Sequence, residues 1–289
     1  MPVIDRRLPV NTSAVRSLPG VISELRKSHY DVALDLQGLV KSAVLARASG
    51  AARVIGFPAP LLRERAARLF YTETAGADAA HIIRKNLSIL KALGVAATGI
   101  EFPLEARRPE IAAVVRSRLG LADRDPFAII NPGAAWPNKR WPAVYFGEVA
   151  AALRKRHSLR SIVLWGPGEE ELAQDVVAAS NDSAAISPRT TLADLVSLAE
   201  AASLMVSGDT GPIHIAGAVG TPLVGIYGPT DPERNGPWAS QDLIASRFGT
   251  CQCHYQRRCH SASWCLLDVS PREVIRLVDD RLAESAAHG

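Results

Sequence analysis

The chain has 289 residues, 47% hydrophobic and 21% charged, with a formal net charge of +4. That is ordinary globular composition, long enough for two domains. It opens on no signal-peptide pattern and holds no run near the roughly 20 apolar residues of a spanning helix. A cytoplasmic protein is therefore expected, one that can still touch a membrane from the cytoplasmic face.

Arginine supplies most of the positive charge, and several arginines fall between Arg53 and Arg68. Such a face attracts phosphates or anionic lipid; the plainer alternative is a solvated basic surface. No nucleic-acid-binding motif is present, so a nucleic-acid partner is not expected.

In chain order, DVALDL (31–36) reads as a buried strand and VKSAVLARA as the helix after it. RVIGF (53–57) is a second strand. Residues 81–93 carry apolar side chains at helical spacing, with Gly94 as a stop. The polar EARRPE (105–110) is read as the linker between domains 1–106 and 107–289. Then FAIIN, SIVLWG, SLMVSG and PLVGIYG read as strands, with helices from 141, 167, 192 and 211 between or beside them. A last helix over 271–285 can pack back on the first domain. Strands alternating with helices of ten to fifteen residues predict an α/β fold with parallel sheets.

Ligands on such sheets sit beyond the carboxyl ends of the strands, which selects the loops 131–141, 166–171, 208–214 and 228–238. In the third, Gly208 and Gly211 allow close approach of a ligand to the backbone. Free N–H groups at the helix start, with Thr210, form a diphosphate cradle that His214 can reach. The alternative is that Asp209 or Thr210 only caps the helix. Lys139 suits a phosphate as a point charge. A carboxylate of Glu169, Glu170 or Glu171 can take a ribose hydroxyl pair, or only stabilise a first helical turn. The loop at Tyr227–Pro232 is a turn that either shapes a pocket or does not. These contacts point to a nucleotide. GxxxxGK[ST], GxGxxG and GxSxG patterns are missing, which argues against P-loop hydrolysis, a dehydrogenase and a serine hydrolase.

GDTGPIHIAGAVGTPLVGIYGPTDPERNGPW resembles the donor-site signature of glycosyltransferase family 9, the lipopolysaccharide heptosyltransferases. INPGAAWPNKRWP and WGPGEEE are similar to the family's other donor loops, and DVALDLQGLVKSA and RERAARLFY to its acceptor-domain motifs. The resemblance covers nearly the whole chain. It implies the GT-B architecture, two Rossmann-like domains with the donor site in the second. It also implies a nucleotide-diphosphate sugar, usually ADP-heptose, a lipopolysaccharide-core acceptor and inversion at the anomeric carbon, with no cofactor required.

Donor contacts carry over to Lys139, Asp209, Thr210, Gly211 and His214, with Glu170 placed at the ribose and Glu169 as the alternative. Ala134 and Ala135 stand where some relatives have hydroxyl residues. Acceptor contacts carry over to Lys41, Arg63 and His81. Family members begin with a strand and a Gly-Asp loop whose Asp is the general base. Here DLQGLVKSA already begins at residue 35, so the resemblance implies an incomplete N-terminal domain without that base, and VIDRRLPV (3–10) reads as the end of the missing portion. No catalytic residue is then assigned, and Asp35 is read as structural or acceptor-side. A nucleotide-binding fragment without activity is the competing reading. A sugar-nucleotide epimerase is a further one, disfavoured by the acceptor motif with Lys41. Cys251, Cys253, Cys259 and Cys265 are spaced so that they could hold a structural zinc; disulfides or free thiols are the alternative.

Overall fold

The computed structural model describes Leu8, Val10 and residues 18–287 apart from 78, 98, 105, 106, 262 and 263. Most of the segment 3–10 read above lies outside the described residues. Contacts divide the chain into two compact units, Met1–Pro103 and Leu104–Gly289.

The first unit runs α1 (Leu18–Lys27), β1 (Val32–Leu34), α2 (Val40–Ala48), β2 (Arg53–Gly56), β3 (Glu73–Thr74) and α3 (Ile82–Ser88). Short 3₁₀ turns at Ala59–Leu61 and Arg65–Phe70 precede β3. The helix expected over 81–93 is α-helical only to Ser88, then tightens to 3₁₀ over Ile89–Leu93 and stops at left-handed Gly94. The three strands are parallel in the order β1-β2-β3. β1 is shorter than the run 31–36 because Asp35 turns the chain. Its carboxylate accepts from the N–H groups of Gln37 (2.9 Å) and Gly38 (3.2 Å), from Ser42 Oγ (3.0 Å) and from Tyr71 Oη (2.7 Å). Burial and this carboxylate push the Tyr71 phenol well above its usual range. Gly56 has to be glycine, since a Cβ there would sit 2.2 Å from the Tyr71 ring.

The second unit runs α4 (Glu110–Arg118), β4 (Phe127–Asn131), α5 (Ala143–His157), β5 (Arg160–Val163), α6 (Glu170–Ala178), β6 (Ala184–Ile186) and α7 (Leu192–Ala201). It continues with β7 (Leu204–Gly208), α8 (Gly211–Ala218), β8 (Leu223–Tyr227), α9 (Pro232–Asn235), β9 (Leu243–Ser246) and α10 (Pro271–Ala287). Its six strands are all parallel in the order β6-β5-β4-β7-β8-β9. β4, β7 and β8 are buried at every position, which is why they read as unbroken apolar runs rather than alternating ones.

Each face carries its own core. Trp141, Phe146 and Val149 pack with Val176, Val274 and Val278 on one side; Val115, Leu119, Leu198 and Ile213 pack on the other. α10 packs on α5, β8 and β9 within this unit. Asp279 holds it there by taking Arg156 (2.5 Å) and His157 (2.7 Å) at the end of α5. α5 and α6 approach so closely at Gly147 that a Cβ would lie 2.5 Å from Ala179 Cβ. Residues 107 and 108 are tied to α7, Arg107 by an ion pair to Glu200 (2.8 Å) and Arg108 N–H by a bond to Ser197 Oγ (2.7 Å).

Candidate active site

The strand order reverses between β4 and β7. Crossovers run outward from β4 through β5 to β6, then from β7 through β8 to β9. Such a switch point leaves a crevice beyond the carboxyl ends of the two central strands. A cavity of about 460 Å³ lies there, lined by residues from the loops after β4, β5, β6 and β7.

Asn131, the last residue of β4, donates to Ser207 Oγ (2.9 Å) and Thr210 Oγ1 (3.0 Å), tying the two strand ends together. A 3₁₀ turn at Pro137–Lys139 brings the Lys139 ammonium back over the Trp136 ring at 4.7 Å. Its Nζ donates to Asp209 Oδ2 (2.6 Å) and to the Asp209 carbonyl (3.2 Å). The other Asp209 oxygen meets His214 Nε2 at 3.2 Å. The Asp209 side chain is only 6% exposed. Burial alone would raise its pKa, but His214 and the Lys139 charge more than offset this and hold it at about 2. The result is a fixed cation–anion–imidazole row along one wall.

α8 starts two residues after Asp209 and itself carries His214. Its first turn points N–H groups toward the cavity from Gly211, with Pro212 supplying none, and the partial positive charge of the helix end adds to that of Lys139. A Cβ at Gly211 would meet nothing within 4 Å, so packing inside the chain does not require glycine there. The glycine leaves open space against the backbone at the mouth of the helix.

The opposite wall is apolar: Leu164, Trp165, Leu192 and Leu195 line it. Trp165 is held by its Nε1 bond to the Ser187 carbonyl (2.9 Å). Between the walls stands Glu169, which accepts from Gly166 N–H (3.0 Å) and lies 3.5 Å from Arg140. The lining therefore offers a cation and a helix start that can hold anionic oxygens, a carboxylate that can accept from hydroxyls, and an apolar surface that can cover a flat ring, the chemistry a nucleoside diphosphate requires.

Of the residues expected from the sequence, Lys139, Asp209, Thr210 and Gly211 line this cavity together, and His214 is bonded to Asp209 at its edge. Ala134 and Ala135 line it too. Glu170, chosen above for the ribose, does not line it; it opens α6 and is exposed, while Glu169 faces inward. The carboxylate that turns back to Gly166 N–H is thereby the one at the site. The segment Thr190–Leu192 was not expected at all. It follows β6, whose three residues are too short to stand out as a strand. The loop after Tyr227 does not line the cavity, although Thr230 is buried next to Asp209.

In the first unit Lys41, in the first turn of α2, and Arg63, on the loop before Arg65–Phe70, are both exposed, and their segments are joined where Glu64 N–H donates to the Gly38 carbonyl (3.0 Å) and the Glu64 carboxylate accepts from Val40 N–H (2.7 Å). His81 caps α3, its Nδ1 accepting from Ile83 N–H at 3.3 Å. Asp35 is engaged on both oxygens, which hold the turn after β1.

The four sulfurs weighed as a zinc set are arranged as two pairs. Cys253 and Cys259 form a disulfide, and the Cys251 and Cys265 thiols are in contact. Among the described residues no group of three or more His, Cys, Asp or Glu is gathered to hold a metal ion. Nor is any helix among them long and apolar enough to cross a membrane.

Fold and cavity together define an α/β protein with a nucleotide-type site at the switch point of a parallel sheet. Residues 20–264 match the profile of glycosyltransferase family 9 (heptosyltransferase), and the chain belongs to that family. It is 31% identical over 236 residues to lipopolysaccharide heptosyltransferase 1 of Pseudomonas aeruginosa. That alignment takes in 79% of this chain but only 63% of the relative, so the chain spans just under two thirds of that protein. Among solved structures it is similar to the glycosyltransferase family 9 protein of Veillonella parvula, with TM-score 0.72 and 24% identity over 93% of this chain and 79% of that one. It is also similar to the E. coli heptosyltransferase WaaC with ADP, with TM-score 0.66 and 22% identity over 94% and 79%. These neighbours share the α/β fold of GT-B type expected from the sequence.

Proposed function

We propose that this chain acts as an inverting glycosyltransferase, moving a heptose from a nucleotide-diphosphate sugar, ADP-heptose, to a lipopolysaccharide-core acceptor. The observation that carries the reading is the cavity beyond β4 and β7. There a buried Lys139–Asp209 pair and the α8 N-terminus face the space in which a diphosphate would lie. Family membership and the similarity to the E. coli heptosyltransferase WaaC with ADP support the same reading.

In this mechanism the second unit binds and orients the donor. Lys139 and the first-turn N–H groups of α8 neutralise the diphosphate, which is the leaving group. Stabilising its growing charge is the main electrostatic task in transfer from a sugar nucleotide. Asp209 keeps Lys139 in place and His214 in one orientation. Glu169 accepts from the ribose hydroxyls, and Leu192 and Trp165 cover the base. Attack by an acceptor hydroxyl on the face opposite the diphosphate inverts the anomeric carbon. Lys41, Arg63 and His81 of the first unit face the anionic sugars or phosphates of the acceptor. An acceptor built on lipid places the work at the cytoplasmic face of the inner membrane.

Calorimetric titration with ADP, GDP and UDP tests the donor half. Saturable binding of ADP, lost in Lys139→Ala, is expected; no binding of any of the three by the folded chain would refute it. Release of ADP from ADP-heptose, dependent on added heptose-deficient lipopolysaccharide, tests transfer. Binding of ADP without such release would favour the competing reading, a nucleotide-binding protein without transferase activity.

A further inference from the structure

The cysteine segment lies outside the cavity, yet it is bonded to the loop that carries Lys139 and to the Pro229 loop packed beside Asp209. Asn138, next to Lys139 and buried, donates from Nδ2 to the Gln256 carbonyl at 2.9 Å. The N–H of Tyr255 donates to the Pro229 carbonyl at 2.9 Å, one residue before Thr230, which is buried next to Asp209. Trp264 Nε1 donates to the Arg140 carbonyl at 3.3 Å. Cys265 lies against Gly228, where an added Cβ would be 3.1 Å from its Sγ.

Tyr255 and Gln256 stand inside the ring closed by the Cys253–Cys259 disulfide. The ring is small, and its closure removes most of the conformations open to the residues within it. Tyr255 is held at φ 56°, a left-handed conformation that an unconstrained tyrosine rarely adopts. The Gln256 N–H closes a turn onto the Cys253 carbonyl at 3.2 Å. Both groups that reach the Lys139 loop and the Pro229 loop are thus presented from a strained turn kept in shape by one covalent bond. Of the other two cysteines, Cys251 is buried, and its Sγ accepts from Cys253 N–H at 3.4 Å. Burial, then contact with Cys251, pushes the Cys265 thiol up to about 12. Cys265 is therefore a poor thiolate and a poor competitor for exchange with the bridge.

We propose that the Cys253–Cys259 bridge is a positioning element of the diphosphate site, and that its reduction weakens nucleotide binding. The inference rests on the reading of the cavity as a nucleotide site. The chemistry is thiol–disulfide exchange: a dithiol gives two electrons and two protons, the S–S bond becomes two S–H groups, and the dithiol closes to its own disulfide. Freed of the ring, Tyr255 relaxes, and the Gln256 carbonyl and Tyr255 N–H cease to be aimed at Asn138 and Pro229. The loop bearing Lys139 and the Pro229–Thr230 turn beside Asp209 are then ordered only on binding, which costs affinity.

The experiment is titration of the full chain with ADP, oxidised and after dithiothreitol, together with C253S/C259S and Asn138→Ala. Alkylation and mass spectrometry count the thiols, two expected to be free in the oxidised chain and four in the reduced one. Reduction and the double serine variant should each weaken ADP by about tenfold, the loss of one well-aimed contact. Reoxidation should restore the wild type. Asn138→Ala should weaken ADP in the oxidised chain and remove most of the response to reduction, which a purely structural bridge would not predict.

Equal ADP affinity in the oxidised and reduced chain overturns the proposal and leaves the donor-site reading standing. So does the finding of four free thiols before reduction, or of one zinc per chain held by them. Failure of the oxidised, folded chain to bind ADP at all would instead sink the donor-site reading. If the double serine variant does not fold, the comparison of oxidised and reduced wild type decides.

Discussion

The Lys139–Asp209 pair permits a quantitative test. The two side chains are 15% and 6% exposed and their charged atoms are 2.6 Å apart. At an effective dielectric of about 20 the gross attraction is roughly 6 kcal/mol, much of it offset by the loss of hydration of both ions. Removing one partner strands the other. Lys139→Met leaves a buried carboxylate with only His214, and Asp209→Asn leaves an ammonium with a carbonyl and the Trp136 ring. Each single change is expected to cost about 3 kcal/mol of stability. The double variant should lose about the same, since no charge is left unpaired, so the coupling energy should also be about 3 kcal/mol. Urea unfolding of the four proteins, followed by tryptophan fluorescence and circular dichroism, measures this.

The pH dependence has a fixed sign. The Asp209 pKa is lowered from 3.8 to about 2 in the folded chain. Its contribution is therefore complete above about pH 4 and is lost as pH falls toward 2. The stability gap between wild type and Asp209→Asn should narrow over that window and be flat from pH 5 to 8. Additive losses, or single losses below about 0.5 kcal/mol, would refute the view that this is a buried, interdependent pair.

Two further outcomes follow from the geometry. Glu169→Gln should weaken ADP about tenfold, by loss of a charged acceptor, while Glu170→Gln should change it less than twofold; calorimetry of the two variants settles which carboxylate serves the site. Gly147→Ala should cost about 2 to 3 kcal/mol in urea unfolding, because its Cβ would lie 2.7 and 2.8 Å from the Ala179 backbone, which cannot move aside without separating α5 from α6.

Much of the second unit was legible in the sequence because its central strands are buried on both faces and so read as continuous apolar runs. β4 and β7 were recognisable for that reason, and the loops beyond them followed from the general placement of ligands on parallel sheets. β6 and β9 were not. β6 has three residues, and β9 is a four-residue strand with only Ala245 fully buried, so neither shows a periodicity. With β6 unseen, Thr191 and Leu192 could not be placed at the cavity.

Glu169 rather than Glu170 lines the cavity for a local reason. Acidic residues at a helix start are alike in sequence, and only the turn at Gly168, with φ 79°, decides which one faces back toward Gly166. α4 was missed because Pro109 and the charges before it resemble a linker, yet a proline just ahead of the first turn is compatible with helix initiation. The pairing of the cysteines could not be read from spacing, since four cysteines allow three connectivities.

Every residue that lines the cavity belongs to the second unit, and all come from strand ends, loops and helix starts along one edge of a single sheet. The proposed donor chemistry is thus inherited as one block. Under the proposed function, substitutions in the first unit remodel what is glycosylated without renegotiating how the nucleotide is held. A change at Asp209 or Lys139 has no such freedom, because the same side chains that would grip the ligand also keep the sheet's edge electrically balanced. Divergence within such a lineage should therefore accumulate on the acceptor half, and the strand-end loops of the donor half should be the last to drift.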